Sequence, residues 1–201
     1  MQKLLIGLLV LILLVLGAAG ASVWLAFRQG VSARAEPSAL EALLARRLRD
    51  AAIPAEARQA ENPVPLTAEV LVEARDHYAD HCAVCHGDDG AGRTLIGENV
   101  YPPAPDLAKE RTQSLSDGEL FWIIHNGVRF TAMPGWGSGA PEEDLDSWEL
   151  VHFIRRIPKL TPKEIGEVER RNPMSRAAAG EEGPHQGAGA HPRGHSHDHS
   201  H

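Results

Sequence analysis

The sequence predicts an all-α chain, with one small helical domain between an uncharged N-terminal helix and a histidine-rich tail. Three observations carry this. Residues 4–27 hold no charge at all. The segments that follow repeat apolar residues every three or four positions behind recognisable helix caps. Eight of the ten aromatics (Tyr78, Tyr101, Phe121, Trp122, Phe130, Trp136, Trp148 and Phe153) crowd into one stretch, so the core lies there.

A length of 201 residues suits one domain with attachments, which excludes a large enzyme, a multidomain receptor and a polytopic transporter. Residues 67–158 hold sixteen Asp/Glu against seven Lys/Arg, a balance of −9. That acidity excludes a nucleic-acid partner, which needs a basic face, and is otherwise the ordinary means of staying soluble. Only Cys82 and Cys85 occur, so a disulfide framework is excluded by count.

The elements follow in order. Leu4 to Phe27 is about 36 Å long as a helix, against about 30 Å of bilayer hydrocarbon. Residues 1–27 therefore read as a transmembrane anchor. The competing reading is a signal peptide cut at Ala19-Gly20-Ala21, although its apolar part would be unusually long. Residues 28–66 form a spacer. Within it, 37–53 is an amphipathic helix with Ser38 and Glu41 as a capping box and Leu40, Leu43, Leu44 and Leu48 on one face. Two placements compete for it: packed on the domain, which is favoured, or resting Arg46, Arg47 and Arg49 on anionic headgroups.

Residues 67–158 form the domain. Thr67 caps a helix in which Val70, Ala74 and Tyr78 repeat toward Cys82. A second helix starts at Ser116, capped with Glu119, and stops at Gly127. A third runs from about Pro141 to Ile157, acidic at its start and ending on Arg155 and Arg156. Residues 159–178 form a short helix, opening at Thr161, and a linker. Residues 179–201 contain six of the eleven histidines and too little apolar area to fold, so a disordered tail is expected.

Residues 82–86 read Cys-Ala-Val-Cys-His. Two thiols one turn apart, followed directly by an imidazole, suit a porphyrin held by two thioether bonds with the histidine below the iron. A thioredoxin-like pair competes, but no strand pattern precedes Cys82. A structural zinc site needs four ligands, and no second pair is available in the domain. The Gly/Pro-rich loop between the first two helices is long for so small a domain and needs something large to wrap.

At this point residues 67–158 resemble the class I cytochromes c in a membrane-anchored bacterial form. The resemblance rests on Ala74 and Tyr78 before the motif, CAVCH at 82–86, Met133-Pro134 in a later loop, and Phe153 on the closing helix. Ala74 departs from the family's usual glycine, which implies a slightly wider helix crossing. The resemblance implies one covalent haem c on Cys82 and Cys85, with His86 as proximal and Met133 as distal iron ligand. His125 is the competing distal candidate; His77, His81 and His152 read as structural or solvated. Pro102 or Pro103 would accept the second ring N–H of His86, and Tyr101, Arg129 and Trp136 are candidate donors to the haem propionates.

With both axial positions filled, the expectation is electron transfer rather than catalysis. The domain then faces the periplasm or outer surface of the bacterial cytoplasmic membrane, because covalent haem attachment takes place outside the cytoplasm. Its partners are redox proteins with basic docking patches, sitting among membrane respiratory complexes. The alternative is an accessory haem subunit of a multi-subunit oxidase or reductase. In the tail, His195, His197, His199 and His201 alternate and could hold a divalent transition metal; the competing reading is a solubilising extension.

Overall fold

The helix ending in the Cys-Ala-Val-Cys-His motif crosses a closing helix at the centre of the core. Both are described by a computed structural model covering residues 2–29 and 32–180. The described residues are helical and irregular, with no strand among them.

The first helix, α1, spans Gln2–Gln29, and its stretch Gln2–Leu25 is long and apolar enough to cross a membrane. Helix α2 (Ala39–Ala52) opens on the expected capping box of Ser38 and Glu41. A short α3 (Ala55–Gln59) leads into the domain. Helix α4 (Ala68–His77) starts where the Thr67 hydroxyl accepts from Val70 N–H, as its sequence predicts. After the one-turn α6 (Glu110–Gln113), helix α7 (Asp117–Asn126) carries the Ser116/Glu119 box and stops at Gly127. Helix α8 (Leu145–Arg156) closes the core.

Alternating small and large residues let α4 lie close on α8. Ala74 and Tyr78 are almost wholly buried, and the Tyr78 ring meets Phe153 at 5.0 Å between centroids. On the other side of α8, Trp148 stacks flat on Phe121 of α7 at 4.1 Å. Leu150, Val151, Ile154, Leu120 and Ile124 fill the space between. Burying a Leu, Ile or Phe side chain is worth about 1.5–3 kcal/mol, so this cluster fixes the three helices that frame the site.

Four elements differ from the sequence expectation. The domain's first helix is not one continuous α-helix: beyond α4, residues Tyr78–Cys82 form a π-helical turn in which Ala83 N–H donates to the Tyr78 carbonyl, before α5 (Ala83–His86) resumes. A π turn adds about one residue to the register, which the four-residue repeat conceals. Second, α8 begins at Leu145 rather than Pro141. Buried Asp144 is its N-cap and accepts from Ser147 N–H at 3.2 Å, so Pro141–Glu143 remain a turn.

Third, residues 159–178 hold the expected short helix opening at Thr161, but the stretch beyond it is helical as well and both pieces are docked. Helix α9 (Pro162–Arg171) and α10 (Pro173–Ala178) pack on the domain through fully buried Val168. Arg156 pairs with Glu164, Arg75 with Glu167, and Arg171 with Asp76. Likewise the end of the spacer is docked, with Asn62 donating to the Trp148 carbonyl and His152 to the Val64 carbonyl. Fourth, α2 turns its leucines outward rather than onto the domain, and no residue of it is buried.

Candidate functional site

Helix α5 is only four residues long, and its shape comes from what ties down its carbonyls. The Thr94 hydroxyl donates to the Val84 carbonyl at 2.9 Å, and Gly97 N–H donates back to that hydroxyl at 2.8 Å. Gly92 N–H donates to the His86 carbonyl at 2.7 Å, and Gly87 N–H to the Ala83 carbonyl at 2.8 Å. The buried Tyr78 hydroxyl donates to the Gly87 carbonyl at 2.8 Å. Residue 97 must be glycine, because a Cβ there would come within 2.2 Å of the Cys85 carbonyl oxygen. Thr94 and Gly97 were not singled out in the sequence; a Thr and a Gly in a long loop carry no signal until the loop's path is known.

His86 is buried, and its Nδ1 lies 3.4 Å from the Pro105 carbonyl oxygen. The acceptor is therefore Pro105, not Pro102 or Pro103. The loop's hydrogen bonds explain the shift: Ala104 N–H donates to Gly97 and Leu107 N–H to Gly90, which brings the chain between them under the imidazole. Since a carbonyl only accepts, Nδ1 carries the proton and Nε2 keeps its lone pair. Burial lowers the pKa of His86, against the opposing pull of the Pro105 carbonyl, so the ring is held neutral, the form that ligates a metal.

Cys82 and Cys85 are free thiols one turn apart. Burial, with a smaller contribution from Cys85, pushes the Cys82 thiol up to about 12, and burial raises Cys85 as well. A redox-active thiol pair needs the reverse, a lowered thiolate pKa. Among the described residues no three His, Cys, Asp or Glu side chains are grouped to hold a bare metal ion. A neutral buried imidazole beside two protonated, unpaired thiols fits a haem attached through thioethers.

Met133 sits half-buried in a loop slung from the end of α7. Trp136 N–H donates to Ile124, Gly137 N–H to His125, and Val128 N–H to Met133, each at 3.0–3.1 Å. Met133 N–H also donates to the Thr131 hydroxyl at 3.1 Å. Gly127, at φ +68°, makes the turn, and a Cβ on it would lie 2.4 Å from Gly135 N. The loop is therefore fixed at both ends.

The other histidines among the described residues each meet a partner within the protein. His125 lies 2.6 Å from Asp144 through Nδ1, stacks on Phe121, and is covered by Gly137, where a Cβ would meet its ring. His152 is bonded to the Val64 carbonyl at 2.8 Å. His81 stacks on Trp136 at 5.3 Å and touches His77 edge-on, so Trp136 joins the Met133 loop to the motif-bearing helix. Arg129 is exposed, and Tyr101 lies beside Glu41, which raises its pKa. The histidines at 195, 197, 199 and 201 lie outside the described residues.

Residues 70–154 match the family described as "Cytochrome C oxidase, cbb3-type, subunit III". Over 96 residues the chain is 32% identical to a thiosulfate dehydrogenase of Stutzerimonas stutzeri, covering 47% of this chain and 29% of that protein. Over 80 residues it is 31% identical to the cbb3-type cytochrome c oxidase subunit CcoP of Cereibacter sphaeroides, covering 40% and 26%. The chain thus spans less than a third of the length of either relative. The family match takes in Cys82, Cys85, His86 and Met133, so residues 70–154 are similar to the c-type cytochrome domain of cbb3-type subunit III.

Proposed function

We propose that this protein carries single electrons on the outer face of a bacterial cytoplasmic membrane through one covalently bound haem c. Cys82 and Cys85 would hold it by thioether bonds. His86 would bind the iron through Nε2, with Nδ1–H fixed on the Pro105 carbonyl, and Met133 would supply a second ligand. When bound, the haem supplies a one-electron iron couple. A neutral thioether ligand favours the reduced metal and raises the potential relative to two histidines.

The observation that carries this reading is the buried imidazole of His86, neutral and oriented, directly behind two free thiols. His86 and Met133 together leave no coordination position for a substrate. The −9 balance of residues 67–158 favours partners with basic docking patches and a salt-sensitive association. Residues 4–27 would keep the protein in the membrane.

The match to CcoP favours a second reading, an accessory haem subunit within one oxidase or reductase complex. Extraction in mild detergent followed by a potentiometric titration decides between them. A monomer giving one single-electron wave per chain supports the carrier. Co-purification with catalytic subunits supports the alternative. The tail histidines would bind Cu(II) or Zn(II) without moving the haem spectrum; equal calorimetric titrations of the full chain and of a chain ending at Gly180 would contradict that.

A further inference from the structure

Helix α2 is built as a soluble amphipathic helix but packs the wrong way round. Leu40, Leu43, Leu44 and Leu48 share one face by helical spacing, and they are 66%, 44%, 53% and 71% exposed. The half-buried positions lie on the other side: Ala42, Arg46, Arg49 and Asp50. That side is held inward by Arg58, which donates to the Asp50 carbonyl, and by the buried Ile53 just beyond the helix. The capping box of Ser38 and Glu41 shows that the helix is specified rather than incidental.

We infer that α2 lies in the plane of the membrane interface, its leucines in the acyl boundary and the exposed Arg47 among anionic headgroups. Nine residues, 30–38, separate α1 from α2. They span about 30 Å at most, so the anchor keeps α2 within reach of the bilayer surface. Residues 28–52 carry five arginines against three acids, a positive balance set against the −9 of the domain. Arg47 falls within the leucine face and is exposed, where a long stem can lie along lipid while its guanidinium reaches phosphate. A leucine face beside a basic flank is what an interfacial helix requires. Lying flat, α2 would fix the height and tilt of the haem domain above the bilayer.

This inference rests on the reading of α1 as a retained anchor, and the experiment separates the two. The haem-loaded full chain is reconstituted in phosphatidylcholine vesicles containing phosphatidylglycerol. A spin label is placed at Leu44→Cys or, as an aqueous reference, at exposed Lys163→Cys. Collision with oxygen, which concentrates in lipid, is compared with collision with a water-soluble nickel chelate. The expected result is an oxygen-to-nickel ratio several-fold higher at position 44 than at 163, falling when Arg47 is changed to Glu. A chain that floats with the vesicles while position 44 reads as aqueous overturns the inference and leaves the anchor intact. A label shielded from both reagents shows that protein covers the face and also overturns it. A chain released from the vesicles at alkaline pH overturns the anchor, and the inference with it.

Discussion

Nδ1 of His125 lies 2.6 Å from Oδ2 of Asp144, a bond that ties the last turn of α7 to the first of α8 directly behind the Met133 loop. A carboxylate only accepts, so Nδ1–H donates. The other Asp144 oxygen caps Ser147 N–H, and the His125 carbonyl receives Gly137 N–H. One buried acid thus holds a helix start, a helix end and the exit of the loop that carries Met133.

Asp144→Ala removes the cap and leaves the largely buried His125 donor unpaired. The cap is worth about 1 kcal/mol and an unsatisfied buried donor about 1–3 kcal/mol, so a loss of roughly 2–4 kcal/mol is expected in urea unfolding of the haem-loaded protein. A loss below about 0.5 kcal/mol would show that the loop is framed otherwise.

Gly127→Ala should act on the iron more than on the fold. Its φ of +68° disfavours a side chain by about 1–2 kcal/mol, and the new Cβ would press on Gly135 N and Pro134 C, 2.4 and 2.5 Å away. Both lie next to Met133, so the loop must move. The midpoint potential should fall, since weaker thioether ligation favours the oxidised metal. An unchanged potential would detach Met133 from the iron.

The buried Tyr78 hydroxyl holds the Gly87 carbonyl, one residue beyond His86. Tyr78→Phe keeps the ring on Phe153 and removes one of two hydrogen bonds on that carbonyl, which still accepts from Gly90 N–H, at a cost of about 0.5–1.5 kcal/mol in denaturant unfolding. A neutral substitution would mean water reaches the carbonyl.

Acid should weaken the fold through His77. Burial, chiefly, and then His81 lower its pKa, with Asp146, Asp144 and Asp80 opposing. The unfolded chain then takes up the proton first as pH falls through about 6.5, so this contribution is full above that pH and is lost below it. The melting temperature should drop between about pH 7 and pH 5, and less steeply in His77→Gln. Parallel curves for the two proteins would assign the loss to other groups.

Much of this was legible locally. The three capping boxes (Ser38/Glu41, Ser116/Glu119 and Thr161/Glu164) each need only four residues of sequence, and each begins a helix where expected. The motif at 82–86 is equally local. What escaped depends on chain paths. Pro105 rather than Pro102 or Pro103 meets His86 because of bonds from residues 104 and 107 to glycines far back in the loop. The π turn at Tyr78–Cys82 leaves the apolar repeat intact and so has no signature in it. Helix α9 docks through one buried valine and three ion pairs, none of which shows as a periodic core. The outward leucines of α2 are invisible to a pattern that tells which residues share a face but not where the face points.

The most direct test is the absorption spectrum of the oxidised, purified full chain beside that of Met133→Leu. Ligation by His86 and Met133 predicts the weak red band that sulfur–iron bonding produces in the unmodified protein. It also predicts loss of that band in the variant, with the haem still covalently held by Cys82 and Cys85. A band that survives the substitution, or one absent from the start, would contradict the assignment.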